Sequence, residues 1–554
     1  FLRGAGLTGA AAAGMLAFPG AGKAFADDGA ADAQSTEATD SGNEYSKALG
    51  DDASLCPLRK ADFHGPRGPI AFEDRDIAES EISSTEECEV LIIGAGIGGL
   101  MGSLKAAEEG AKVITLEKMT EGRSAWESFG AVGAKFQKEQ GIDIDPAQLC
   151  DEIYRAADWR VDPCSIETYV NRSGEVADFW QDMLDKGGSG WQLYKFDQAP
   201  NYNGFPVIDS YVNFKMPEGI STTWLFGLYV CKELRAVAET YDNLEIRYEM
   251  PAVQLIREDG GRVIGCIAKN GDGYVRINAS KGVLLATGGY GKDVAFRSAQ
   301  DPRLDETVGC TNFEGATAHG LKVALDAGVM GMQLDQIQCY PYTSPEEDSF
   351  GCAATWIEAE SAYAPTIDPT TGKRFVNELT DRKRFCDAMF EVGTPLLQIG
   401  SVDNVPDWCA ESLENALAAG VTREFSSLEE IASEFDVPLD GLKAQMDSYN
   451  ACVTAGEDTE FGKLFNPDAK PVVTAPYYVT RAWPKVHHCM GGVKTDIDCR
   501  VIGNDLEPIV GLYGAGEATG GVHGACRLGC NGTLDCLVNG RIAGQQVAAL
   551  EPVA

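Results

Sequence analysis

Residues 94–99 read Gly94-Ala95-Gly96-Ile97-Gly98-Gly99, a G-x-G-x-x-G run. The chemistry such a run supports is phosphate binding by backbone. Gly94 allows a tight turn, Gly96 lets a pyrophosphate come against the main chain, and Gly99 lets a helix pack closely on a strand. The positive end of the following helix then faces the phosphates. Glu117 lies about twenty residues on, where a carboxylate can accept hydrogen bonds from an adenosine ribose. Together these residues describe a dinucleotide site.

The elements that must hold such a site are legible around it. Glu89-Val90-Leu91-Ile92-Ile93 is a short apolar, β-branched run that reads as a buried parallel strand. Leu100 to Glu109 has helical spacing, and Ala111 to Leu116 opens a second strand. Gly282 to Tyr290 and Gly511 to Glu517 are further apolar strands ending in glycines, and Val538 to Leu550 reads as a closing helix. Val253–Arg257 and Arg262–Ala268 form a hairpin turning at Asp259-Gly260-Gly261. The middle of the chain carries amphipathic helices around Ser427–Phe435 and Leu439–Val453. The expected fold is therefore α/β: a Rossmann-like nucleotide domain in two pieces, residues 85–338 and 487–554, with an inserted α+β capping domain over 339–486.

At 554 residues, the chain exceeds what one core usually supports. Its 84 acidic and 46 basic residues give a formal charge of -38, which repels a phosphate backbone and excludes nucleic acid as a partner. The 17 cysteines are scattered without any CxxC pair. Cys526, Cys530 and Cys536 match neither zinc nor iron–sulfur spacing, so no metal ligand is assigned, and free thiols, some disulfides or a metal cluster all remain open. Residues 1–26 look like the tail of a twin-arginine export signal: a small apolar run from Gly4 to Gly22, Lys23, then the A-x-A site Ala24-Phe25-Ala26. Residues 27–84 are an acidic linker and N-terminal extension. No other run is long and apolar enough to span a bilayer once the signal is removed, which leaves a periplasmic or cell-surface protein.

Taken in order, Gly94–Gly99, Glu117, Glu121-Gly122-Arg123-Ser124, Ala286–Tyr290, His488-Cys489-Met490-Gly491-Gly492 and Gly514-Ala515-Gly516-Glu517 resemble the flavoprotein family of fumarate reductases and succinate dehydrogenases. The stretch Gly520 to Gly529 is similar to its soluble flavocytochrome branch. The resemblance implies FAD in an extended form, with a cap closing over the isoalloxazine ring. It places Gly94, Ala95, Gly96, Gly98, Gly99, Glu117, Lys118, Ser124, Gly130, Ala286, Thr287, Gly288, Gly516 and Glu517 at the cofactor.

The same resemblance implies hydride transfer from flavin N5 to an activated C=C. Arg527 and His488 would hold the activating carboxylate or carbonyl, a fixed clamp at developing negative charge. Arg374 to Arg382 is similar to the family stretch whose last arginine donates the proton, which assigns that role to Arg382; an ion pair of Arg382 with Asp381 or Glu378 is the alternative. Glu358 would feed that proton. Two positions depart from the family: Tyr340 stands where fumarate reductases carry His, as in urocanate reductase-like members, and Ser361 stands where the relay ends in Arg. Tyr340 is then either a substrate residue or a packed core aromatic. His487 reads as packing, His523 as weakly flavin-adjacent, and His319 as having no role.

The expected activity is reduction of an α,β-unsaturated carboxylate or enone as a terminal electron acceptor. No C-x-x-C-H haem motif occurs, so electrons would come from a separate donor such as a cytochrome or a quinol-linked protein. A ketosteroid-type dehydrogenase and a flavin electron relay without substrate chemistry are the alternatives.

Overall fold

The computed structural model describes residues 76–553 apart from 125–127, 189, 196–200, 203–204, 207–209, 216–225 and 259–260. The expected signal and most of the acidic linker lie outside the described residues.

The chain enters through β1 (Ile82–Ile93), turns at the glycines into α1 (Ile97–Glu108) and returns as β2 (Val113–Leu116). It continues through β3 (Leu244–Arg247), the ribbon β4 (Ala252–Arg257) and β5 (Val263–Asn270), and the long β6 (Gly273–Leu285). The ribbon matches the expected hairpin, although turn residues 259–260 are not described. β1 is longer than the apolar run 89–93. Its first half, Ile82 to Cys88, is mostly polar and is drawn into the sheet by parallel pairing with β6, which begins with Ile82 opposite Tyr274. Only its last residues, Val90 to Ile93, are buried on both faces, as a central parallel strand requires.

After α2 (His319–Asp326) the middle of the chain begins with β7 (Ile337–Tyr340), α3 (Ala354–Tyr363), β8 (Thr366–Ile367) and α4 (Arg382–Val392). There follow β9 (Leu396–Ser401), β10 (Thr422–Phe425), α5 (Leu428–Phe435), α6 (Leu439–Ala455) and β11 (Tyr477–Ala482). Strands β8, β9, β11 and β10 form, in that order, an antiparallel four-stranded sheet. Its core includes Ile367, Ile399, Leu442 and Tyr449 from the sheet and from α6. The helices start where local chemistry allows: the Ser427 hydroxyl accepts the Glu430 N–H ahead of α5, at 3.2 Å, and α6 ends at Gly456 with φ 72°.

The last segment, β12 (Lys485–Cys489), β13 (Arg500–Ile502), β14 (Pro508–Gly514) and α7 (Asn531–Ala548), rejoins the first. β14 pairs parallel with β6, completing an eight-stranded sheet that runs β13-β14-β6-β1-β2-β3 with the β4–β5 ribbon attached to β6. The nucleotide domain is therefore built from both ends of the chain. α7 starts at Asn531, earlier than the expected Val538, because Leu534 and Leu537 are fully buried in the core it shares with Val90, Ile92 and Leu100 of β1 and α1. Among the described residues no helix is long and apolar enough to cross a membrane. The sixteen described cysteines carry free thiols, all but Cys164 and Cys536 buried, and no cluster of three or more metal-ligating side chains occurs among the described residues.

Candidate active site

A groove of about 1120 Å³ runs along the carboxyl ends of β1, β2 and β6 and over the start of α1. Ligands of parallel α/β sheets bind at that edge. At its floor Gly94 adopts φ +108°, a conformation L side chains rarely take, and a Cβ there would collide with the carbonyl oxygen of Ala286. α1 begins at Gly96 without any side-chain cap, so its first N–H groups are offered to a ligand. Glu117 reaches the wall with one carboxylate oxygen accepting the Ala95 N–H and the other the Met119 N–H, each at 2.9 Å. Burial raises its pKa against the pull of those hydrogen bonds. Lys118 donates to the Thr317 hydroxyl at 3.0 Å, and burial lowers its pKa to about 8.

Of the residues expected at the cofactor, Ala95, Gly99 and Gly130 stand off the wall, and the rest line it. Gly99 does the packing expected of it, since a Cβ there would meet the Gly94 carbonyl oxygen. Gly130 belongs to the short strand Phe129–Gly130, where an added Cβ would come within 3.6 Å of Asn531 and Leu534 of α7. His319 and Asn312 were missed. His319 lines the groove with Nε2 2.8 Å from the Ala252 carbonyl oxygen.

The groove meets a second, smaller chamber of about 800 Å³ at Ser124, Asn312, Glu517 and Cys536, which line both. Tyr340, Glu358, Arg382, His488 and Arg527 all face this chamber. The two-stranded ribbon β7–β12 sets Gln338 opposite His488 and Tyr340 opposite Lys485. Gln338 also accepts the Arg527 N–H at 2.7 Å, tying the loop before α7 to the ribbon. Arg382 is the first residue of α4, whose cap is Asp381, with its carboxylate accepting the Arg384 N–H at 3.0 Å. Asp381 is thus engaged with Arg384, and Glu378 with Arg374 at 2.8 Å and Lys463 at 3.5 Å. The carboxylate beside Arg382 is Glu358, at 3.9 Å.

Electrostatics divide the chamber. Burial works against the Arg382 charge, but Tyr340 and Glu358 outweigh it and hold the guanidinium above its ordinary pKa. Arg527 goes the other way, lowered to about 10 by burial and by the neighbouring Arg382 charge. Burial raises Glu358 to about 7 against the pull of Arg382, and raises Glu517 to about 7. His487 and His488 are held well below 6.5 by burial and then by Arg527, so both are neutral. His488 is therefore a polarised donor rather than a cation.

One wall of the chamber is aromatic and adjoins the cations. The Tyr340 ring lies 4.7 Å from the Arg382 guanidinium, 4.9 Å from the His487 ring and 5.3 Å from the Phe350 ring. The Tyr342 ring backs it at 5.1 Å. His487 is fixed by the Thr311 hydroxyl at 2.8 Å from Nδ1, so it is part of this wall. His523 sits behind His488, ring to ring at 5.4 Å, with Nε2 3.3 Å from Asp535. Ser361, in the expected relay position, is fully buried and hydrogen-bonded by Gln398.

These residues fit an extended dinucleotide carrying a flavin. Its phosphates would lie on the glycine turn and the α1 terminus, and the flavin at the junction, where Asn312 Nδ2 finds no hydrogen-bond partner among the described residues; His488 Nε2 and Arg527 Nε, in the adjoining chamber, find none there either.

The family model described as FAD binding domain matches residues 89–533. The acrylate reductase flavoprotein subunit of Shewanella woodyi is 32% identical, over 86% of this chain and 96% of its own length. The urocanate reductase of Eggerthella lenta is 27% identical, over 86% and 77%. The structure of the open conformation of a flavocytochrome c3 fumarate reductase superposes with a TM-score of 0.66 at 26% identity, over 85% of this chain and 79% of that one. The chain belongs to the FAD binding domain family, in the group of flavoprotein reductases that contains the fumarate, acrylate and urocanate reductases.

Proposed function

We propose that the protein reduces the C=C bond of an α,β-unsaturated carboxylate or enone whose far end is flat and apolar. The observation that carries this reading is one chamber in which the guanidiniums of Arg382 and Arg527 stand beside an aromatic wall of Tyr340, Phe350 and His487. Among the described residues lining it, those two arginines are the cations. Arg382 depresses Arg527, so both charges act near one place and suit one carboxylate. A second carboxylate would have to lie against aromatic rings.

Bound reduced FAD supplies the hydride. Arg527 and the free Nε2 of His488 orient the activating carboxylate or carbonyl and stabilise the negative charge that grows on it. Arg382 delivers the proton to the carbon α to that group, and Glu358, part-protonated near neutrality, returns the proton to Arg382. Tyr340 holds the far end of the substrate and contacts Glu358 through its hydroxyl, at 3.3 Å. The cofactor roles of the groove residues follow the same reading: the Gly94–Gly99 turn for the pyrophosphate, Glu117 for the ribose, Glu517 near the flavin.

We further read the protein as exported, from the Ala24-Phe25-Ala26 site, and as the end of a respiratory chain fed by a separate electron carrier. N-terminal sequencing of the mature protein tests the first point: a start at Asp27 is expected, and a mature chain that retains the residues before Asp27 contradicts it.

The activity is tested by reducing the purified protein anaerobically with a viologen and adding fumarate, acrylate, cinnamate and an enone. Flavin reoxidation by cinnamate in preference to fumarate is expected. Reoxidation by none of them refutes the reading.

A further inference from the structure

Lys485 does not line the chamber, yet it is among the most closely held cations of the molecule. It is 4% exposed at the start of β12, directly opposite Tyr340. Its stem packs on Gly309, where an added Cβ would come within 3.2 Å of Cδ. Its ammonium donates to two main-chain carbonyls of one loop, those of Glu347 and of Ser349, the latter at 2.9 Å.

That loop carries Phe350, an aromatic wall of the chamber. Its neighbour Ser349 takes a backbone conformation that needs support, with φ 51°. The Ser349 hydroxyl adds a second tether by donating to the Thr311 carbonyl at 2.7 Å. Thr311 is also the residue that holds His487. Beyond Phe350 the chain has an anchor that does not pass through Lys485: the Ser412 hydroxyl donates to the Cys352 carbonyl at 2.8 Å and accepts the Trp356 N–H, in the first turn of α3, at 3.2 Å. Losing the Lys485 tether therefore frees Phe350 while the N-terminus of α3, and with it Glu358, keeps its own support.

We infer that Lys485 is a positioning residue for substrate selection: by clamping the Glu347 and Ser349 carbonyls it holds Phe350 against Tyr340 and His487, and so makes the chamber select enoates that bear an aryl group over small ones. This rests on the reading that the chamber takes an enoate. Lys485 touches no reacting atom and moves no proton. Its effect is on the KM of the larger substrate.

The test uses the FAD-loaded protein, reduced anaerobically with a viologen, with acrylate and cinnamate as probes. In Lys485→Met and in Ser349→Ala, the KM for cinnamate is expected to rise about fivefold or more, the scale of one lost aromatic contact. The KM for acrylate and both kcat values are expected to stay within about twofold. Phe350→Ala should shift the ratio in the same direction and at least as far. Equal losses on the two probes, or an unchanged ratio in both tether variants, would overturn the inference. Should Lys485→Met not retain FAD, Ser349→Ala decides alone. A wild-type enzyme that reduces acrylate but not cinnamate overturns the inference and leaves a reductase standing; one that reduces neither removes the proposed function as well.

Discussion

Arg382 and Tyr340 converge on a single oxygen of Glu358: Nη2 of Arg382 lies 3.9 Å from Oε1, and the Tyr340 hydroxyl donates to the same atom at 3.3 Å. A buried carboxyl so placed can exchange a proton with the arginine that faces the chamber.

Its pKa, raised to about 7 by burial, fixes the pH dependence. The protonated form is the proton source and prevails below pH 7. The kcat for enoate reduction should therefore fall as pH rises through about 7. Glu358→Gln should lose that inflection and about a hundredfold in kcat, measured by viologen oxidation from pH 5.5 to 9.

Stability should follow the same sign. Glu358 and Glu517 have folded pKa values raised to about 7, so the folded chain binds protons that the unfolded chain has released between about pH 4.5 and 7. The stabilisation is complete below the unfolded pKa and disappears as pH climbs through the folded one. The melting temperature of flavin-free protein should drop from pH 5 to pH 8, and Glu358→Gln should flatten that drop.

Gly94→Ala places a methyl group against the Ala286 carbonyl at φ +108°. The groove floor would have to move, and the purified variant should be colourless, with no flavin absorbance at 1:1 FAD. A yellow variant with wild-type affinity would remove the groove from the cofactor's account.

Asn312 Nδ2 points into the junction without a partner among the described residues. Asn312→Leu should weaken FAD binding about tenfold, the cost of one hydrogen bond at a buried site, and should shift the visible flavin band. An unchanged spectrum contradicts a contact with the flavin.

What the sequence disclosed, and what it hid, follows from range. Backbone demands write themselves into residue type, so the Gly94–Gly99 turn, its flanking strands and the return of the chain at Gly514 were legible without coordinates. The division of chemistry between Arg382 and Glu358 came from resemblance, because their approach spans two helices and no periodicity encodes it. The polar half of β1 was hidden, since Ile82–Cys88 is drawn into place by β6 rather than by its own pattern. Asn312 and Phe350 were hidden too: each reaches the site from a loop whose path is set by distant tethers, Phe350 through Lys485 and Ser349. Gly130 stands off the groove wall and close to α7, and a glycine packed under a helix looks, in sequence, like one that faces a ligand.

The central claim is that Arg382 supplies the proton in a chamber where Arg527 holds the substrate. Stopped-flow oxidation of the fully reduced Arg382→Ala protein by cinnamate tests it most directly. The account predicts a variant that keeps FAD and its spectrum but reoxidises at least about a thousandfold more slowly, on cinnamate and on every other enoate. A variant that reoxidises at the wild-type rate contradicts the account and favours a ketosteroid-type enzyme, in which tyrosines carry the proton.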